Sequence, residues 1–100
     1  MKEPRLTQQT LGVLGALANS RELSGTEVAK DTKLSAGTLY PILYRLEHVG
    51  WLSSRWEEES PEALGRPRRR YYRITAEGQK RVQQVVHQLL PAAGSLAWER

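Results

Sequence analysis

Residues 37–56, GTLYPILYRLEHVGWLSSRW, carry two different hydrophobic periods in succession. Up to Gly50 the apolar residues recur at intervals of three and four positions, which predicts an amphipathic helix. From Trp51 onward the period falls to two, a pattern typical of a half-buried strand. The stretch therefore predicts a helix that ends at Gly50 and a strand over residues 51–56.

The helix is expected to begin just before this stretch, with Ser35 as the N-cap of AGTLYPILYRLEHV. Pro41 lies inside the pattern and removes the hydrogen bond to the carbonyl of Gly37. It predicts either a kink in the first turn or a helix that starts near Thr38. The predicted buried stripe comprises Leu39, Ile42, Leu43, Leu46 and Val49.

A shorter helix is predicted just upstream, where Ser24-Gly25-Thr26-Glu27 has the form of a capping box. In this motif the serine hydroxyl and the glutamate side chain satisfy backbone N–H groups at the start of a helix. The helix is expected to end near Thr32. Two short helices joined by a tight turn predict a helix-turn-helix, whose second helix reads the major groove of DNA.

A further helix is predicted at the start of the chain, over about residues 7–19, where apolar residues such as Leu11 recur at helical spacing. Gly12 and Gly15 lie inside this pattern, and each costs about 1 kcal/mol relative to alanine. Close approach of another helix would explain both glycines, so this helix is expected to form part of a packed interface.

The segment after residue 56 predicts a turn and a second strand. The loop EESPEALGRP contains turn-forming Pro and Gly, and RRRYYRIT, residues 68–75, alternates with a period of two. The two strands form a hairpin, and a hairpin after a helix-turn-helix is a wing. Trp51 and Trp56 are expected to belong to the core and the hairpin.

Arginine is concentrated in this predicted wing. Its planar guanidinium donates paired hydrogen bonds to phosphates and bases, which favours a nucleic-acid surface, although a solvated charged face is the alternative. Arg70, in phase with Tyr72, is expected to pair with Glu57 or Glu58 across the hairpin. The wing arginines are Arg66, Arg68, Arg69, Arg70 and Arg73.

The last helix is predicted to follow Thr75 as its cap, over AEGQKRVQQVVHQLL, residues 76–90. Its apolar strip continues past Pro91, and the small domain before it offers little surface for that strip to cover. A second copy of the chain is therefore the expected partner. The residues assigned to this interface are Leu11, Val82, Val85, Val86, Leu89 and Leu96.

Composition excludes several other classes of protein. The 100 residues have a formal net charge of +4, no cysteine and two separated histidines, so neither a disulfide framework nor a metal site is expected. No apolar run is long enough for a membrane span or a signal peptide, and we expect a cytoplasmic protein. No catalytic constellation and no phosphate-binding glycine loop is present, so neither an enzyme nor a cofactor is predicted.

Residues 37–56 and GRPRRRYYRITAEG, residues 65–78, together resemble the PadR family of bacterial regulators. The resemblance covers about residues 6–90. It implies a winged-helix homodimer, usually a repressor, that binds an inverted-repeat operator and releases it on binding a small molecule. Thr26 departs from the pattern, because tyrosine commonly follows the glycine in this family.

The short tail resembles the compact subfamily, which has a single C-terminal dimerisation helix. Some of its members bind flat aromatic compounds at the dimer interface beside a tryptophan, and Trp98 matches that residue. Pro91 and Gly94 are expected to interrupt the helix before it. The predicted effector site comprises Trp98, Leu11 and Gly15; a frayed tail is the alternative for Trp98.

The predicted fold is thus mainly α with a small β-hairpin: a winged helix-turn-helix over residues 1–75 and a dimerisation helix over residues 76–100. Tyr40 is expected either to contact DNA or to pack against the second helix. A winged helix that binds a protein partner is the alternative function. The predicted DNA contacts are Ser35, Thr38, Tyr40, Pro41, Arg66, Arg68 and Arg69.

Overall fold

The computed structural model describes residues 4–19 and 21–98, with side chains as far as residue 88. The chain is mainly α-helical with one small sheet, which confirms the predicted fold class. In chain order the elements are α1 (Gln8–Ala16), β1 (Glu22–Ser24), α2 (Gly25–Thr32), α3 (Ala36–His48), β2 (Leu52–Trp56), α4 (Pro61–Leu64), β3 (Arg70–Ile74) and α5 (Ala76–Trp98).

The helix starts follow from their capping residues. The Glu27 backbone N–H donates to the Ser24 hydroxyl at 3.2 Å, and the Ser24 N–H donates to the Glu27 carboxylate at 2.9 Å, so the predicted capping box is formed. Ser35 is the N-cap of α3, but its hydroxyl donates to the Thr38 hydroxyl at 3.3 Å instead of accepting from a backbone N–H. Pro41 lies inside a continuous α3.

The sheet has three antiparallel strands in the order β1-β3-β2, one more than the predicted hairpin. The added strand, β1, pairs Leu23 with Tyr72 and so covers the edge of β3 that β2 leaves open. Three residues are too few to show a period of two, and β1 therefore escaped prediction. It ties the loop after α1 to the sheet.

One hydrophobic core joins the helix-turn-helix to the sheet. Trp51 belongs to it, as predicted, whereas Trp56 lies on the hairpin but is 55% exposed, so it is not a core residue. Val49, predicted in the buried stripe, packs at the edge of the core. The buried apolar residues are Val13, Leu14, Leu17, Leu23, Val28, Leu39, Ile42, Leu43, Leu46, Trp51, Leu52, Tyr72 and Ile74.

The start of α5 is fixed against the turn between α3 and β2. The Gly78 N–H donates to the Thr75 hydroxyl at 3.0 Å, which confirms Thr75 as the cap. The Thr75 N–H donates to the carbonyl of Trp51 at 3.0 Å. A Cβ at Gly78 would collide with that same carbonyl oxygen and lie 2.8 Å from Ile74, so only glycine fits here.

Helix α5 is longer than predicted and continues past residue 90. It includes Pro91 and Gly94 and runs to Trp98, so the expected interruption before Trp98 is wrong. A proline interior to a helix costs one hydrogen bond, but its fixed φ is itself helical. None of the described helices combines the length and hydropathy needed to cross a lipid bilayer.

The outer faces of α1 and α5 have room for a partner. Val82 packs partly against the core of its own chain, whereas Val86 is 45% exposed. A Cβ built on Gly12 or Gly15 meets nothing within 4 Å. Packing among the described residues therefore gives no reason for either glycine in α1.

The fit of Gly78 gives a stability prediction. Gly78→Ala should lower the free energy of unfolding by about 2 kcal/mol or more, because the added methyl group forces α5 away from the Trp51 carbonyl. Urea denaturation at one protein concentration measures the loss. Gly37→Ala is the matched control: a Cβ there meets nothing, and stability should be unchanged or slightly higher. Equal stability of the two variants would contradict the packing described here.

Candidate nucleic-acid interface

The surface of α3 opposite its buried stripe carries the helix residues predicted to contact DNA. Ser35 and Pro41 are exposed, and Thr38 is half-buried. Farther along the same face, Tyr44 is 63% exposed and stacks on His48 with ring centroids 5.7 Å apart. The exposed face of α3 therefore presents hydroxyl groups near its N-terminus and stacked aromatic rings near its C-terminus.

Tyr40 has both of the roles considered for it. Its hydroxyl lies against Gly25 at the start of α2, where a Cβ would be only 2.5 Å from the hydroxyl oxygen. The residue nevertheless remains 46% exposed. Glycine at position 25 thus lets Tyr40 lie across the junction of α2 and α3 while part of its side chain faces solvent.

The wing is the β2–β3 hairpin, and its tip is more ordered than the predicted loop. Residues 61–64 form the short helix α4, whose N-cap Ser60 accepts from the Ala63 N–H at 3.2 Å. Pro61 occupies the first turn, and Gly65 ends the helix at φ 69°. Pro61 and Gly65, which the sequence pattern predicts as turn residues, instead start and end one helical turn.

A carboxylate closes the base of this tip. Arg66 donates to both carboxylate oxygens of Glu57, at 2.6 and 3.0 Å, and the Arg69 backbone N–H donates to one of them at 2.7 Å. The hydrogen bonds from Arg66, and then that from Arg69, lower the pKa of Glu57 from 4.5 to about 2. The guanidinium of Arg66 is thus engaged within the wing.

Arg70 joins the wing to α3. Its Nε donates to the Ser54 hydroxyl at 2.8 Å, and a terminal nitrogen lies 3.2 Å from the Glu47 carboxylate. The expected pairing with Glu57 or Glu58 is therefore wrong. Arg70 faces the side of the sheet that packs toward α3, and Glu57 is already held by Arg66.

Arg68 and Arg69 are the exposed arginines of the tip. Arg68 Nε donates to the backbone carbonyl of Glu59 at 2.9 Å, and the Arg69 guanidinium contributes to lowering the pKa of Glu27 in α2. Both residues border a cleft of about 430 Å³ between the wing and the start of α2. The cleft is lined by Ser24, Gly25, Thr26, Tyr40, Trp56, Arg68, Arg69, Arg70 and Tyr72.

This cleft brings together three of the predicted DNA contacts, Tyr40, Arg68 and Arg69. Sequence reasoning missed Thr26 and Trp56 as parts of the same surface. The period of two did place Trp56 in phase with Ser54, but periodicity does not show which strand ends leave the core. The remaining predicted contacts, Ser35, Thr38, Pro41 and Arg66, do not line the cleft.

The other predicted sites are only partly described. Leu11 is half-buried and Gly15 is exposed on α1. Trp98 is the last residue of α5, and its side chain, like those of Leu89 and Leu96, lies outside the described residues. Within the part of the chain whose side chains are described, no three His, Cys, Asp or Glu residues are grouped as metal ligands would be.

A helix-turn-helix followed by an arginine-rich hairpin defines a winged helix-turn-helix protein. The family model of the transcriptional regulator PadR-like family matches residues 13–84, and this chain belongs to that family. It is accordingly a DNA-binding transcriptional regulator. Members of the family are transcription factors and not enzymes. No curated protein sequence matches the chain at a significant level.

Solved structures agree with this assignment. A PadR-like transcription factor from Bacteroides fragilis has a TM-score of 0.74 and 21% identity, over 91% of this chain and 88% of that one. A PadR family regulator from Eggerthella lenta has a TM-score of 0.64 and 30% identity, over 88% and 81%. Bacillus subtilis PadR in complex with operator DNA has a TM-score of 0.67 and 21% identity, over 82% of this chain and 48% of that one.

The Glu57–Arg66 pair gives a pH prediction. Because the pKa of Glu57 is lower in the folded chain than the ordinary 4.5, its contribution to stability is complete above pH 4.5 and is lost as the pH falls toward 2. The melting temperature of Glu57→Gln should therefore lie below that of the wild type at neutral pH, and the two should converge in acid. In an Arg66→Gln background the same substitution should show a much weaker pH dependence. A gap that stays constant from neutral pH to pH 2 would contradict the pairing.

Proposed function

We propose that this chain is a homodimeric repressor that binds an inverted-repeat operator and releases it when a small molecule binds. The observation that carries the DNA-binding part is the cleft in which exposed wing arginines face Tyr40 of α3. A duplex whose sugar–phosphate backbone runs along this cleft would bring its major groove to the N-terminal half of α3.

The N-terminal half of α3 is the proposed reader of base sequence. Ser35, Thr38, Tyr40 and Pro41 lie on its first two turns, where side chains of a recognition helix reach base edges. The hydrogen bond between the Ser35 and Thr38 hydroxyls leaves acceptor capacity on both oxygens and the Thr38 proton free to donate. Such a pair suits either a base edge or a phosphate.

The wing is the proposed contact to the DNA backbone. Arg68 and Arg69 are exposed, so their guanidinium groups can donate to phosphate oxygens without breaking an ion pair within the wing. Arg66 remains a proposed contact, but its guanidinium already binds Glu57, and a phosphate would compete with that carboxylate. We therefore assign most of the electrostatic binding to Arg68 and Arg69.

The proposed dimer interface uses α5 and the outer face of α1. Val85 and Val86 lie on α5 beyond the part that packs against the chain's own core. On α1, space is open beside Gly12 and Gly15, and Leu11 next to them is half-buried. Residues 1–75 would bind DNA and residues 76–100 would dimerise, with Val82, Leu89 and Leu96 completing the strip. A two-fold dimer presents its recognition helices to two inverted half-sites.

The proposed effector is a small aromatic molecule held near Trp98, Leu11 and Gly15. Two further structures of similar fold support this class of ligand: NadR in complex with 4-hydroxyphenylacetate, and BpsR of Bordetella bronchiseptica, whose DNA binding is regulated by 6-hydroxynicotinic acid. These proteins are 22% and 20% identical to this chain, respectively. Both compounds are small and contain one aromatic ring, and pockets between helices hold ligands of this size.

The proposed function predicts tight, salt-dependent binding to a specific duplex. A binding site selected from random duplexes and a scrambled version of it would be compared by fluorescence anisotropy at two salt concentrations. The selected site should bind at least about 1,000-fold more tightly, the lower end for specific regulators. Equal weak binding to both duplexes, or no enrichment during selection, would instead favour a winged helix that binds a protein partner.

The wing assignment predicts which arginines set the salt dependence. Arg68→Gln and Arg69→Gln should each weaken binding to all duplexes and reduce the slope of log affinity against log salt by about one, because each removes one phosphate contact. Arg73→Gln removes the same charge from the face of β3 opposite Arg70 and Tyr72, which line the cleft, and is the matched control. An equal slope change in all three variants would mean that only net charge matters.

The dimer assignment predicts the effect of a charge on α5. Val86→Glu should give monomers in sedimentation-velocity experiments, because a carboxylate would be buried without a partner in the interface. Gln84→Glu adds the same charge on the opposite side of α5, next to Arg81, and should remain dimeric. A Val86→Glu variant that still sediments as a dimer would move the interface away from this strip.

A further inference from the structure

Trp56 is an exposed aromatic residue on a domain that buries its other described tryptophan. It is the last residue of β2 and is 55% exposed, whereas Trp51, five positions earlier, is 5% exposed. Trp56 faces the same side of the sheet as Ser54 and Arg70, as its pairing with Arg70 and the alternation of the strand require. An exposed indole on a binding face indicates a contact residue.

The indole of Trp56 is held in place from one side. The Arg70 guanidinium lies 5.3 Å from the ring centroid, and it is itself fixed by Ser54 at 2.8 Å and by Glu47 of α3 at 3.2 Å. A side chain that is ordered before binding loses little conformational entropy when a partner arrives. Trp56 is therefore preorganised relative to the recognition helix.

The cleft beside Trp56 has the charge of a surface that binds a polyanion. Trp56 shares it with Tyr40, Arg68 and Arg69, and none of the described residues that line it is acidic. Aromatic rings and guanidinium groups therefore lie next to each other along one groove. The sugar–phosphate backbone of DNA has the matching pattern, in which apolar deoxyribose rings alternate with phosphates.

We propose that Trp56 packs its indole against the deoxyribose of the operator backbone, between the phosphates that Arg68 and Arg69 contact. The indole N–H, which can only donate, suits a phosphate oxygen, and the flat ring suits the sugar. This inference rests on the proposed DNA-binding function and adds a contact that is independent of base sequence. Trp56 thus contributes to affinity, whereas α3 contributes to specificity.

The test compares Trp56→Leu with Tyr71→Leu. Tyr71 is the matched control, because its ring lies under Arg55 on the opposite face of the sheet, with the guanidinium 5.1 Å from its centroid. Anisotropy would be measured with the selected duplex and with a short synthetic duplex of arbitrary sequence. Trp56→Leu should weaken binding to both by about tenfold, as expected for one aromatic contact, and leave the salt slope unchanged. Tyr71→Leu should bind like the wild type.

A spectroscopic measurement separates direct contact from a shift of the wing. Acrylamide quenching of the wild type minus that of Trp56→Phe reports Trp56, and its indole should become protected when the duplex is added. Unchanged quenching, or a loss of affinity no greater than that of Tyr71→Leu, overturns the inference and leaves the proposed function intact. A wild-type protein that binds neither duplex overturns both.

Discussion

The turn at Gly50 and Trp51 holds the recognition helix, the wing and α5 in one arrangement. The Trp51 N–H donates to the Leu46 carbonyl at 2.9 Å and so ends α3, and its own carbonyl accepts from Thr75 at 3.0 Å. The Thr75 hydroxyl donates to the Gly50 carbonyl at 2.6 Å. These bonds join backbone to backbone or to a cap, so α5 cannot tilt freely relative to α3. In the proposed homodimer, the crossing of two α5 helices would then set the separation of the two recognition helices.

The arginines of the wing divide into two groups with different physical roles. Arg66 and Arg70 bind carboxylates, Glu57 at the base of the tip and Glu47 on α3. Partly exposed ion pairs of this kind contribute modestly to stability, and their paired hydrogen bonds also fix geometry. Arg68 and Arg69 are exposed on the shape that these pairs maintain. The sequence motif of neighbouring arginines thus combines scaffold and binding surface, and residue type alone does not separate them.

The sequence was sufficient to predict those features of the fold that depend on a few neighbouring residues. The capping box of α2, the cap at Thr75 and the change of period at Gly50 each act within a few residues, and all three predictions were confirmed. The features that the sequence did not predict depend on distant partners or on very short elements. β1 and α4 have three and four residues, too few for a period, and the partner of Arg70 lies 23 positions away. Exposure of Trp56 likewise depends on where the strand leaves the core.

Position 26 links the family resemblance to the shape of the cleft. The resemblance leads one to expect tyrosine there, but this chain has an exposed threonine in an intact capping box. Because Thr26 lines the same cleft as Tyr40 and Trp56, a tyrosine at this position would add a third ring to the groove. The smaller side chain leaves the space beside the two rings open. The small side chain at position 26 in α2 therefore leaves room in the cleft that the wing residue Trp56 also lines.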